Sequence, residues 1–307
     1  MLRRIGVRAG VRAGVRTGLG IGVGVLGARQ FVGVISVTIR RLNHSERYQK
    51  VLDDYFKQDH FRFLPGTEQA NLEKLKQWIP LVYLRNRPLI SIDVEAWEKN
   101  KQFITEIGFT TYDPRINPDL IYPVIKPHHI LIKEHMKKTN GKFVANNKKF
   151  FIGGESYSLL MQSATKLMKQ VIEKYIIENQ AVLVGHDVLA DVRWLQSLGI
   201  NFPENIPTID TLKLHQLTRT SGGTLRTMCR NLDVPHAYLH NAANDSYYTL
   251  LVAMKLCDPN TRITKQLDIF MDKKSAPKPK KVKNLLQLSD VSFISQLSEV
   301  KDIIPHI

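Results

Sequence analysis

The chain has 307 residues, 43% of them hydrophobic and 23% charged, enough to build the core of one substantial domain with extensions or of two small ones. A total of 44 Lys and Arg against 28 Asp and Glu leaves a net charge of +16, which favours polyanionic partners such as nucleic acid or acidic lipid headgroups. The only cysteines are Cys229 and Cys257: two thiols do not make a disulfide scaffold, and the absence of a C-x-x-C pair argues against a redox pair or a zinc knuckle.

The first 43 residues hold eight arginines and no lysine, aspartate or glutamate; the first acidic residue is Glu46. Arg8, Arg12 and Arg16 recur every four residues beside an apolar row of Val7, Val11 and Val15. An arginine-rich, acid-free and amphipathic start resembles a mitochondrial presequence, so residues 1–42 are expected to act as a targeting segment. The expected location is the mitochondrial matrix, with nucleus or cytoplasm as alternatives. The apolar run from Gly18 to Ala28 is interrupted by Arg29, short of the roughly twenty residues of a membrane span, so membrane association is not expected. A membrane anchor, a secretory signal and simple disorder are the competing readings. Eight of the sixteen net positive charges lie in this segment, so the remainder is less basic than the total implies.

Residues 43–87 are predicted to form a helical extension: "SERYQKVLDDYF", a break at "PGT", then "EQANLEKLKQWIPLVYL" with a stripe of Leu72, Leu75 and Trp78. Pro88 introduces a first central strand, "LISIDVE". A second strand is "FITEIGFTTYD" (103–113), with Ile104, Ile107 and Phe109 as core candidates, and a third is "HHILIKE" (128–134). A loop with one short strand leads to a long helix over 157–179, then a buried strand over 181–187. "VLADVRWLQSLG" reads as a helix stopped by Gly199, "IPTIDTLKL" as a strand turning into a helix, and "TLRTMCRNLDV" and "NDSYYTLLVAMKLCD" as two further helices. Strands at the front followed by alternating strands and helices predict an α/β domain over 88–270, with a mixed sheet covered on both faces. From 271 onward a lysine/proline linker precedes "LLQLSDVSFISQLSEV", which is read as a terminal helix, a segment docked on the domain or a site for a protein partner.

Acidic residues from three separate segments are candidates for one site. Asp93 and Glu95 alternate along an extended segment and point to the same side. Asp187 and Asp191 stand a helical turn apart in "GHDVLADVRWL". In "HNAANDSYY", a helix beginning near Ala242 would aim Asp245 at the sheet edge and leave His240 in the preceding loop. Four crowded carboxylates raise one another's pKa, a penalty that bound divalent cations remove. Hard Mg²⁺ or Mn²⁺ ions suit oxygen ligands, and two of them can hold the attacking and leaving oxygens of a phosphodiester. A histidine neutral near pH 7 suits the removal of a proton from water. Helix capping and surface lining remain the plain alternatives for each of these residues taken singly.

The segments "IDVEAWE", "VGHDVLADVRWL" and "HNAANDS" resemble the three motifs of the DEDDh exonucleases of the ribonuclease H-like superfamily, over about residues 88–257. "EIGFTTYD", "HHILIKE" and "FIGGES" make the chain similar to a poorly characterised fungal group of such proteins. The resemblance implies a ribonuclease H-like mixed central sheet flanked by helices. It carries the four acidic residues over to Asp93, Glu95, Asp191 and Asp245, and the general base to His240. Ala96 and Trp97 stand where the family usually has threonines. Asp187 and Ala190 replace the usual asparagine and phenylalanine of the second motif, departures that bear on substrate fit and the handling of the terminal nucleotide, while all five catalytic positions are retained.

By the same resemblance, Asp93, Glu95 and Asp245 hold one Mg²⁺ or Mn²⁺ ion and Asp93 with Asp191 the other. The implied reaction releases nucleoside 5′-monophosphates from an accessible single-stranded 3′ end of RNA or DNA. Trp97, Phe103, Tyr247 and Tyr248 are the aromatic residues nearest the motifs, and Lys99, Lys101, Arg193 and Arg219 the basic residues expected to meet phosphates. Two other functions stay open on the sequence: an inactive nuclease fold that binds nucleic acid, and an organellar adaptor acting through its tail.

Overall fold

The structure is a computed structural model that describes residues 44–116, 122–272 and the backbone of 294–295. The proposed targeting segment and most of the C-terminal tail therefore lie outside the described residues.

Helices α1 (His44–Phe56) and α2 (Glu68–Tyr83) open the described chain. The fully buried positions of α2 are Leu75, Ile79 and Val82, at steps of four and three, while Leu72 and Trp78 flank this stripe half-buried. Both helices pack into the same core as Leu89 of the first strand and Leu250, Ala253 and Leu256 of a later helix.

The sheet comprises β1 (Leu89–Trp97), β2 (Asn100–Tyr112), β3 (Ile125–Ile132), β4 (Ser156–Leu159), β5 (Val182–Gly185), β6 (Thr208–Asp210) and a two-residue β7 (Ile294–Ser295). Its order is β6-β5-β1-β2-β3-β4-β7. The β1–β2–β3 meander is antiparallel and the remaining pairs are parallel, which makes the mixed sheet expected of a ribonuclease H-like fold.

Strand alternation divides the core in two. Ile90, Ile92 and Val94 face α3 (Met161–Ile172) and α4 (Val188–Ser197), packing against Leu167, Val171 and Leu195. Leu89, Ser91, Asp93 and Glu95 therefore project to the opposite face. That face is covered by α7 (Ala242–Leu256), with α5 (Thr211–Gln216) and α6 (Leu225–Asn231) alongside it. Ile104 and Ile107 both belong to the α3 side although three residues apart. A register shift opposite Glu95/Ala96 makes Thr105 an extra residue, and its hydroxyl donates to the Glu95 carbonyl.

The long helix expected over 157–179 is corrected. Residues 156–159 form β4, paired in parallel with His129–Ile132, and the helix begins only at Met161. The ladder offered by β3 outweighs the helical preference of four residues. The last stretch, Glu173–Glu178, winds as a π-helical turn.

The end of the domain is fastened by charge. Helix α8 (Pro259–Thr264) carries Arg262, whose buried guanidinium donates to Asp268 Oδ1 from Nε (2.9 Å) and Nη2 (2.7 Å). Tyr55 of α1 donates its hydroxyl to Asp268 Oδ2 (2.7 Å), so the network ties the first helix to the domain's last. Among the described residues no helix is long and apolar enough to cross a membrane.

Candidate active site

β1 outruns its parallel neighbour: pairing with β5 stops at Ser91–Val184. The N–H of Val94 consequently has no strand partner on that side, and Asp191 Oδ1 of α4 accepts from it at 3.0 Å. This bond seats Asp191 between the positions of Asp93 and Glu95. On the opposite side, Asp93 is paired with Gly108 of β2. A Cβ at Gly108 would lie 2.1 Å from the carbonyl carbon and oxygen of Ala242, so only glycine lets the first turn of α7 settle on the strand. That approach brings Asp245, in the same first turn, over the carboxylates of β1.

His240 precedes α7 with a left-handed backbone (φ 71°). Its N–H donates to Asp245 Oδ2 at 2.9 Å, and its Nδ1 lies 3.9 Å from Glu95 Oε1. Donor atoms of Glu95, His240 and Asp245 all fall within 4.8 Å of one another, while Asp245 Oδ1 is buried without a hydrogen-bond partner. Two carboxylates and an imidazole meeting in this way, with one carboxylate oxygen buried and left without a partner, form a donor set suited to a cation.

The electrostatics carry the same signature. Burial pushes Asp93 well above the usual carboxylate range, and Asp191, Asp245 and Glu95 push it further. Burial, then Glu106 and Asp245, do the same to Glu95. Burial raises Asp191 to about 8 against the lowering effect of the Val94 N–H, and raises Asp245 to about 7 against that of the His240 N–H. Burial lowers the pKa of His240, helped by the nearby Arg226 guanidinium, so its imidazole is neutral at pH 7.

Residues 88–256, more than half of the chain, match the family described as DNA polymerase III subunit epsilon-like, C-terminal domain, of the DEDDh type. The chain belongs to this DEDDh family. Relatives of the DEDDh chain include the Saccharomyces cerevisiae protein named "Good for full DBP5 activity protein 2", 32% identical over 257 residues, covering 73% of this chain and 45% of that one. A second S. cerevisiae protein, the uncharacterised YDR514C, is 32% identical over 225 residues, covering 64% of this chain and 46% of that one. An uncharacterised nucleolar protein of Schizosaccharomyces pombe is 30% identical over 167 residues, covering 52% of this chain and 64% of that one. The chain thus spans about half the length of the two S. cerevisiae relatives.

The candidate site holds residues that sequence reasoning did not single out. Glu106, itself buried, stands directly across from Glu95 in the β1–β2 ladder and adds a fifth carboxylate to the cluster. It is held by His129 Nε2 (3.0 Å) and by the Ala242 N–H (3.3 Å) at the start of α7. The alternation of "TEIGF" carries the signal, but only the register places Glu106 opposite Glu95. Lys148 is buried as well, its Nζ donating to the Lys138 carbonyl at 2.8 Å. Burial lowers its pKa, opposed by Glu106 and Glu95. The loop carrying Lys148 is stitched to the histidine loop by asparagines. Asn147 Nδ2 donates to Leu239 O (2.7 Å), Asn241 Nδ2 to Asn147 O (3.1 Å), and Asn244 Nδ2 to Phe150 O (2.8 Å).

Other candidates are placed differently. Arg219, expected at phosphates, donates instead to the carbonyls of Thr218, Ile269 and Gln266 and serves the fold. Tyr248 is buried and its hydroxyl oxygen accepts from the Ala237 N–H, so it is a core residue. Asp187 sits at the N-cap of α4 with φ 61°, its own N–H donating to Asp210 Oδ1 (3.1 Å). Lys99, Lys101 and Arg193 are exposed, and Trp97 is half-buried against Phe103.

Proposed function

We propose that the chain is a metal-dependent 3′–5′ exonuclease that hydrolyses RNA or DNA to nucleoside 5′-monophosphates. The observation that supports this most is the meeting of Glu95, His240 and Asp245 within 4.8 Å, with a buried, unpaired oxygen on Asp245. Asp93, Glu95, Asp191 and Asp245 are the residues that would hold Mg²⁺ or Mn²⁺, two ions in all. The donor set fits, since it consists of hard carboxylate oxygens whose mutual repulsion a divalent cation relieves. Such ions supply charge neutralisation at the scissile phosphate and its leaving oxygen. His240, neutral at pH 7, accepts the proton of the attacking water at a ring nitrogen. The His240 N–H, donating to Asp245, keeps the imidazole beside the carboxylates during that transfer.

The test is hydrolysis of end-labelled RNA, single-stranded DNA and duplexes by the full chain, with Mg²⁺, with Mn²⁺ and with EDTA. Asp93→Asn is expected to abolish turnover by weakening metal occupancy, and His240→Ala to slow it about 10²–10⁴-fold while metal and nucleic-acid binding persist. Turnover in EDTA, or unchanged turnover in either variant, would overturn the proposal. Mononucleotide release from a 3′-blocked substrate would overturn the polarity alone.

For location, the arginine-rich start supports a mitochondrial address, and the nucleolar name of the S. pombe relative supports the nucleus. C-terminally tagged full chain and a version starting at Asn43 separate them. Loss of mitochondrial signal on truncation supports the presequence, and nuclear signal in both forms overturns it.

A further inference from the structure

Beyond the carboxylates, β1 runs into the Trp97–Asn100 turn, and the segment 135–144 lies against it. Three bonds seat that segment. Trp97 Nε1 donates to Thr139 O (3.2 Å), Asn140 Nδ2 donates to Ala96 O (3.1 Å), and Asn140 Oδ1 accepts from the Glu98 N–H (2.8 Å). The Glu98 carboxylate then accepts from the backbone N–H groups of Lys142 (3.0 Å), Phe143 (2.9 Å) and Val144 (3.3 Å). A loop fixed at so many backbone positions holds its side chains in place.

Those side chains form a consistent chemical pattern. Phe143 is 75% exposed, an unusual state for a phenylalanine. Three aromatic rings each carry a lysine ammonium over their face: Lys99 over Trp97 at 5.5 Å, Lys138 over Phe103 at 4.6 Å and Lys142 over Phe143 at 4.9 Å. Among the described residues none of these lysines has a carboxylate within ion-pair distance. The stretches 97–103 and 135–143 hold five lysines and a single acid, Glu98, whose oxygens are engaged by the loop backbone.

We propose that Trp97, Phe103 and Phe143, with Lys99, Lys138 and Lys142, form a platform that stacks the bases and neutralises the phosphates of a single strand of nucleic acid. This rests on the nuclease reading above and names its substrate path. One exposed ring, Phe143, and two half-buried ones, Trp97 and Phe103, interleaved with ammonium groups that have no carboxylate partner, fit stacked bases joined by phosphates, and they do not fit a duplex whose bases are already paired. Trp97 is two residues beyond Glu95, about 7 Å along the strand, so the platform begins beside the carboxylates. Lys148, donating to the Lys138 carbonyl while lying among the carboxylates' charges, joins platform and site into one body. Stacking is indifferent to base identity, so the platform has no sequence preference.

The test measures binding without turnover. Full chain in EDTA is titrated against fluorescent single-stranded RNA, single-stranded DNA of the same sequence, and blunt duplex, by anisotropy over a range of salt. Phe143→Ala is expected to weaken single-strand binding about tenfold, within the range for removing the ring beneath one stacked base. Lys138→Ala with Lys142→Ala should flatten the plot of log affinity against log salt by about 1.4, from roughly 0.7 for each phosphate that loses its ammonium partner. The RNA and DNA arms show which sugar the platform accepts. Single-strand affinity within twofold of wild type in Phe143→Ala, an unchanged salt slope, or equal binding of duplex would overturn the platform. The readout is independent of hydrolysis: an active enzyme with unaltered variants removes the platform and keeps the nuclease, and an inactive chain with weakened variants does the reverse.

Discussion

Replacing Asp245 by asparagine should make the metal-free protein more stable. Asp245 rises from 3.8 to about 7, chiefly through burial. Between those values the folded state binds more protons than the unfolded chain, so stability falls as pH rises through that window. The whole penalty is present above pH 7. Three units at roughly 1.4 kcal/mol each give an upper bound near 4 kcal/mol. The neighbouring carboxylates share the proton uptake, so the expected gain is about 1–3 kcal/mol, or roughly 3–10 °C in Tm. Asparagine keeps an oxygen to accept the His240 N–H and sets its amide group where the orphan oxygen lay. Thermal melts in EDTA at pH 8 should therefore show Asp245→Asn melting above wild type, with the gap narrowing at pH 5.5. Adding Mn²⁺ at pH 8 should raise wild type and leave the variant nearly unmoved, because metal binding needs the deprotonated ligand. A variant less stable than wild type in EDTA at pH 8 would refute the argument that charge crowding, and not packing, dominates this site.

Gly108→Ala places a methyl group 2.1 Å from the Ala242 carbonyl and 2.3 Å from the Ala243 nitrogen, backbone atoms that cannot swing aside. A loss of at least about 1–3 kcal/mol is expected, together with loss of the proposed nuclease turnover as α7 lifts Asp245 from β1; a melt and an activity assay on one sample check both. Asp268→Asn leaves the Arg262 guanidinium buried without its counter-charge and should cost about 3–5 kcal/mol in denaturant unfolding. A cost under about 1 kcal/mol would mean that the network between α1 and the end of the domain carries no charge of consequence.

The alternating register of Asp93 and Glu95 was legible because strand periodicity acts within a few residues. The helix start at Ala242, with Asp245 inside its first turn, was legible for the same reason. Ile104 and Ile107 were identifiable as core residues, whereas the bulge at Thr105 that reconciles their spacing needed a partner strand to define it. Glu106 escaped because a charge inside an apolar strand acquires meaning only from what stands opposite. Lys148 escaped because its neighbours arrive from β1, β2 and the 138 carbonyl, none of them close in sequence. The error at 157–160 has a related cause. "SYSL" carries little local preference, and the waiting ladder of β3 decided its state.

The outer margin of the sheet is finished by a piece of chain far from the rest. Ser156 and Tyr157 of β4 are paired with Ile294 and Ser295, more than a hundred residues later. A protein trimmed to the family-matched region would leave that row of peptide groups unsatisfied, next to the exposed Leu160. Unpaired strand margins recruit one another, so a shortened chain is prone to self-association and precipitation even where its interior folds correctly. The last strand of this sheet thus bears on colloidal behaviour: short as it is, it occupies a seam through which one molecule would otherwise add to the next.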